Sequence, residues 1–243
     1  MQIIDNDLNH LVIKSQTDKI HRWKTWEPKS PFAPNVDAHV FCDEYDSLLA
    51  KEVRVIANQS YLGQIEETKF LSAANWKSLW TKYNLFTWSH SVFKTLRDHI
   101  YDSYVEYCNA IEVEVLDRKD IWIRGWFARL EPGQNIGMHS HAIHENAFVS
   151  GNMALHNLNP WTTTDYWIPL FSLYHGYFQV KNEPGVVTLF PSWLQHRVDT
   201  NQSSKVRYTL AFDLFNEYNF KYIRKTDTTD TDLAKIILLS TKL

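Results

Sequence analysis

Apolar residues recur along this chain with two different periods. From Asp43 to about Ala57, Tyr45, Leu48, Leu49, Val53 and Ile56 return at three- and four-residue steps, which predicts a helix with one apolar face. From about Ser91 to Cys108, Phe93, Leu96, Ile100, Tyr104 and Tyr107 do the same, with Ser89 or Ser91 as candidate caps. After Asp120 the period changes. Ile121 to Leu130 is rich in β-branched and aromatic residues and stops at Glu131-Pro132-Gly133. Strand-like runs follow near 137–141, 147–156, 175–181, 186–190, 196–200 and 205–215. Asn182-Glu183-Pro184-Gly185, Phe190-Pro191-Ser192 and Asn201-Gln202-Ser203-Ser204 separate some of them as turns.

Helices first and short strands later predict an α+β chain, its helices packed on a β-sandwich or barrel. Residues 1–30 read as irregular, and Pro28, Pro31 and Pro34 punctuate the entry to the folded part. The expected organisation is one structural domain in three parts: a helical region over 1–119, a β core over 120–215, and a tail over 216–243. In that tail Asp232–Ser240 reads as a short helix, packed on its own domain or on a second subunit.

Composition narrows the function only a little. Hydrophobic residues are 44% and charged residues 22% of 243, enough apolar material for a substantial core. A net charge of -3 provides no positive field for wrapping nucleic acid. Cys42 and Cys108 have no metal-type spacing and read as reduced thiols. The first residues lack a signal-peptide pattern, and no run is long and apolar enough for a span. The expectation is a soluble cytoplasmic protein that binds neither nucleic acid nor membrane.

The candidate chemistry lies in His139-Ser140-His141, in a distant His196, and in Arg207-Tyr208-Thr209. Side chains two apart on a strand share a face, so His139 and His141 would point together. Iron(II) in oxygenases commonly takes three protein ligands on one face and leaves the other positions open. The usual set is two histidines and a carboxylate, but here the middle position is His141. Three neutral ligands make the site one charge more positive, favouring an anionic cosubstrate. Arg207 and Thr209 share a face of the last strand, where guanidinium and hydroxyl suit a dicarboxylate such as 2-oxoglutarate. The competing readings are polar histidines on a barrel rim and an exposed arginine on an edge strand. His144 and His156 are expected not to be ligands.

These residues also carry a resemblance. Trp126, Leu130-Glu131-Pro132-Gly133, His139-x-His141, Ser150-Gly151, the run Gly185 to His196 containing Phe190-Pro191-Ser192-Trp193-Leu194, and Arg207 to Phe212 together resemble the 2OG-Fe(II) oxygenases of bacteria and their phages. The resemblance covers roughly residues 120–215. It implies a double-stranded β-helix (jelly-roll, cupin-like) core. It also implies His139, His141 and His196 as iron ligands, Arg207 with Thr209 as the 2-oxoglutarate anchor, and hydroxylation of a C–H bond with release of succinate and CO2. Two departures stand out: Ala142 follows the H-x-H where the family commonly has proline, and Asn152-Met153-Ala154-Leu155 replaces a tyrosine-containing strand. A shifted register would make His141 the first ligand and put Ile143 in the carboxylate position.

The stretch 157–175 is long for a hairpin link and holds Trp161, Tyr166 and Trp167, a candidate lid or binding shelf for an unidentified small molecule or protein side chain. The same aromatics could instead pack on the barrel or form a homodimer contact. A three-histidine, cupin-like dioxygenase that does not use 2-oxoglutarate is the second enzyme reading. A non-catalytic jelly-roll binding protein is the third.

Overall fold

The computed structural model describes residues 2–4, 12–14, 19–24, 30–31, 37–64, 83–141, 147–156, 158, 160, 162–167, 177–226 and 236–241. Its strands are β1 (Gln2–Ile4), β2 (Val12–Lys14), β3 (Ile20–Lys24), β4 (Asp37–Glu44), β5 (Trp122–Leu130), β6 (Ile136–His139), β7 (Val149–Ala154), β8 (Thr163–Trp167), β9 (Tyr177–Lys181), β10 (Val186–Pro191), β11 (Gln195–Val198), β12 (Arg207–Phe215) and β13 (Ile237–Leu238). Its α-helices are α1 (Ser47–Gln64), α2 (Ser91–Ala110) and α3 (Glu217–Thr226).

The strands form two antiparallel sheets. The large one has nine strands in the order β1-β2-β3-β4-β10-β7-β12-β5-β13, and the small one has four, β6-β11-β8-β9. Chain order and sheet order disagree because the chain crosses between sheets, as in a jelly roll. The architecture is the expected α+β double-stranded β-helix with helices packed on it.

Alternation along the central strands explains the layering. On β12, Tyr208, Leu210, Phe212 and Leu214 join Phe93, Leu96 and Ile100 of α2 in the main apolar cluster. Arg207, Thr209 and Ala211 line a cavity on the opposite face. On β10, Val187 and Leu189 join the helix-side cluster, whereas Phe190 packs with Val40, Tyr166 and Leu194 in a second cluster between the sheets. Central strands are therefore buried on both faces. Gly151 on β7 is required by this packing: a Cβ there would lie 2.3 Å from the Phe212 ring and 2.6 Å from the Thr188 carbonyl. Gly185 has a positive φ of 92°, and its carbonyl accepts from Tyr45 N at 2.9 Å.

Several elements differ from the sequence pattern. β3 and β4 lie in a region read as irregular or helical. In β4, Ala38 and Val40 are buried toward one side and Phe41 toward the other, so polarity does not alternate. The first helix begins at Ser47, and Leu48 is 68% exposed. Neither Ser89 nor Ser91 caps α2: the cap position is His90, without a capping side-chain bond. The helix expected at 232–240 is replaced, over its described part, by β13, which pairs with Ile123 and Trp122 of β5. Among the described residues of this tail, the helix is α3. Among the described residues, no helix is long and apolar enough to cross a membrane.

Candidate metal centre

β6 and β11 are antiparallel neighbours in the small sheet, and His139 is the register partner of His196. This places two imidazoles side by side, their ring centroids 4.2 Å apart. His141 lies just beyond β6, where its amide donates to Ser192 O at 2.9 Å. Its ring centroid is 5.5 Å from that of His139 and 5.1 Å from that of His196. One ligand atom from each ring lies within 4.8 Å of the others.

The remaining nitrogens are already committed. His139 Nδ1 is 2.8 Å from Gly137 O, and His196 Nδ1 is 3.1 Å from Leu194 O. His141 Nδ1 is 2.5 Å from Asp213 Oδ1. A carbonyl or an ionised carboxylate can only accept, so in the neutral ring each Nδ1 carries the proton and each Nε2 keeps its lone pair. Burial pushes the His196 pKa well below its ordinary value, and the other two histidines push the same way. Three imidazoles that converge in this way, each with its Nδ1 on an acceptor, are a donor set suited to iron(II).

The Phe190–His196 segment now has a part-by-part explanation. Pro191 to Leu194 is a turn, closed by Leu194 N on Pro191 O at 2.8 Å, that carries the chain from β10 in the large sheet to β11 in the small one. Phe190 packs at 4.7 Å from the His196 ring. Ser192 supports the main chain of His141, and Leu194 O holds the His196 ring.

The histidines line a cavity between the sheets with about 530 Å³ of empty space, mouth included. Trp126, Asn152 and Thr209 share its wall, and Arg207 closes it. Arg207 is 2% exposed, and neither terminal guanidinium nitrogen has a hydrogen-bond partner. Burial lowers its pKa to about 10, so it remains a cation near neutral pH. A buried cation with both terminal nitrogens unpartnered is costly, and its geometry suits an incoming carboxylate. Arg207 is therefore not an exposed edge-strand arginine, and of the three histidines His196 is buried while His139 and His141 are partly buried.

Sequence reasoning missed Asp213, Ser150 and Ser192. Asp213 shared a face with Arg207 and Thr209 by simple alternation, which was the available signal. Its carboxyl is buried, which alone would raise its pKa. His141, Arg124 and Ser150 more than offset this and hold it below the ordinary range. Tyr166, for which the sequence left open a lid or packing on the barrel, is a fully buried core residue of β8. Its hydroxyl accepts from Asn152 Nδ2 at 3.0 Å and meets Thr188 Oγ1 at 2.5 Å, and its ring stacks on His196 at 5.7 Å. A tyrosine from β8 thus occupies the wall behind Asn152. Trp167 lies under Arg197, with 5.4 Å from ring centroid to guanidinium. Trp161, Ile143 and His144 lie outside the described residues, and His156 is not in the histidine cluster.

A family model described as "Putative 2OG-Fe(II) oxygenase" matches residues 171–213. No curated protein matches the sequence. Among solved structures, a prolyl-4-hydroxylase of Pseudomonas putida aligns with a TM-score of 0.51 at 11% identity, over 73% of this chain and 91% of its own. The α-ketoglutarate-dependent carbocyclase SnoK of nogalamycin biosynthesis aligns with a TM-score of 0.52 at 11% identity, over 73% and 79%. The epimerase SnoN, solved with Fe3+, α-ketoglutarate and nogalamycin RO, gives 0.54 at 10% identity, over 84% and 91%. The chain is thus similar to 2OG-Fe(II) oxygenases over residues 171–213 and shares the double-stranded β-helix fold of these solved structures.

Proposed function

We propose that this protein is an Fe(II)- and 2-oxoglutarate-dependent dioxygenase that hydroxylates a C–H bond of a small molecule or a protein side chain. His139, His141 and His196 would hold the iron through Nε2. Arg207 would grip the far carboxylate of 2-oxoglutarate, with the Thr209 hydroxyl, on the same face of β12, as a further donor. Iron and cosubstrate would supply the oxidising chemistry: one oxygen atom of O2 enters the substrate, the other enters succinate, and CO2 leaves.

The chain's own residues bind, orient and exclude water. The Nδ1 bonds of the three histidines set the ring orientations before metal arrives. Trp126 and Phe190 give the cavity apolar walls. Asn152 holds the Tyr166 hydroxyl away from the open space.

The observation that carries this reading is Arg207, a buried cation whose two terminal nitrogens lack partners in the same cavity as three convergent histidines. It also favours an oxo-acid cosubstrate over a three-histidine dioxygenase that needs none. The test is anaerobic titration of metal-free protein with Fe(II), then 2-oxoglutarate, following visible absorption. A charge-transfer band that needs both additions and weakens in Arg207→Met is the expected result. Iron binding without the band would favour the cosubstrate-free dioxygenase. Absence of iron binding would leave a non-catalytic jelly roll.

A further inference from the structure

Asp213 distinguishes His141 from the other two histidines. His139 and His196 give their Nδ1 protons to backbone carbonyls, which are neutral acceptors. His141 gives its proton to a carboxylate, at 2.5 Å, a closer contact than either carbonyl makes with its imidazole. The same carboxylate oxygen accepts from Ser150 Oγ at 2.7 Å, and Ser150 meets Ser192 Oγ at 2.9 Å. The carbonyl of Ser192 in turn receives the His141 amide at 2.9 Å. Ring and main chain of His141 are thus held by one network. The other carboxylate oxygen lies 3.9 Å from Arg124 Nη2, on the neighbouring strand. Charge on Asp213 is therefore directed mainly at His141, and Arg124 is the more distant partner.

We infer that Asp213 is a positioning residue for the metal centre, placing behind His141 the negative charge that a carboxylate ligand would otherwise bring. The inference rests on the metal site proposed above. A carboxylate on Nδ1 fixes the ring tautomer and raises the donor strength of Nε2. His141 is then a stronger donor than an imidazole whose Nδ1 is held by a neutral carbonyl. The site is less electron-poor than a count of three neutral ligands indicates. Backbone carbonyls cannot do this for His139 or His196, because they carry no net charge.

The test is titration of metal-free wild-type protein, Asp213→Asn and Ser150→Ala with Co(II) alone, reading both Kd and the visible ligand-field spectrum. Asp213→Asn keeps the shape and an acceptor oxygen but removes the charge. The expected result is Co(II) binding about 10- to 100-fold weaker, with a displaced spectrum. Ser150→Ala should shift both readouts in the same direction by less. Wild-type binding with an unchanged Kd and spectrum in Asp213→Asn would overturn the inference and leave the metal site standing. If Asp213→Asn does not fold, an unchanged Kd and spectrum in Ser150→Ala overturns it. Failure of wild-type protein to bind Co(II) would overturn the metal site itself.

Discussion

The two faces of β12 were built from alternate residues of one strand, yet they do different work. Tyr208, Leu210, Phe212 and Leu214 face the helices and are buried among apolar neighbours. Arg207, Thr209 and Asp213 point toward the other sheet, equally buried but polar. Burial on the helix side stabilises the fold directly. Burial on the inner side costs free energy unless each polar group finds a partner. Asp213 has three; the terminal nitrogens of Arg207 have none. The contrast marks the candidate site: the inner face keeps a buried cation whose terminal nitrogens are unpartnered.

Four changes would break or sharpen this contrast. The largest expected effect is from His196→Ala, which should abolish stoichiometric Fe(II) binding while leaving the far-ultraviolet circular dichroism native-like. Retained binding would remove His196 from the metal site. Next, Phe212→Ala on the helix-facing side should cost about 3–5 kcal/mol of stability in urea unfolding. Its folded fraction should still bind iron, and loss of metal affinity in proportion to the core damage would mean that the two faces are not separable.

Arg207→Met should weaken 2-oxoglutarate binding by about 10- to 100-fold, the equivalent of losing a charge-assisted interaction of about 1.5–3 kcal/mol. Without cosubstrate, the variant should unfold at the same urea concentration as wild type or a higher one, since both terminal nitrogens of the buried cation are unpartnered. A clear loss of stability would mean that Arg207 belongs to the fold rather than to the ligand. The smallest effect is on pH dependence. His39 on β4 is held neutral mainly by burial, its pKa lowered from 6.5 to about 4, against attraction from Asp37. Its Nδ1 meets the Tyr107 hydroxyl on the helix side. Between those two values the unfolded chain binds more protons than the folded one. The His39 contribution is therefore fully present above 6.5 and is lost as pH falls toward 4. His39→Gln should flatten this part of the acid unfolding profile by about 1–3 kcal/mol, with no change in metal affinity.

Strands β5, β7 and β9 to β12 were legible because Gly, Pro and Asn turns bracket them and their apolar runs are short. β4 and β8 were not. Both of their faces are covered, so polarity does not alternate, and β8 sits in a stretch whose aromatics read equally well as a lid. At the C-terminus the helical pattern of 232–240 lost, over its described part, to the exposed edge of β5, whose backbone groups Ile237 and Leu238 pair. Tertiary hydrogen bonding outweighed local preference there.

The site was legible to the same depth. The spacing of His139 and His141, the Phe190–His196 run and the alternation of Arg207 with Thr209 come from local geometry, because a strand assigns residues to faces two at a time. That is what the chain determined by itself: which side chains are available and which of them look the same way. Which strands lie opposite one another was decided only by the tertiary structure. β6 joined the small sheet and β12 the large one, so His141 met Asp213 across the gap between the sheets. No local rule specifies that meeting, because it depends on how two sheets with different neighbours close over a shared interior.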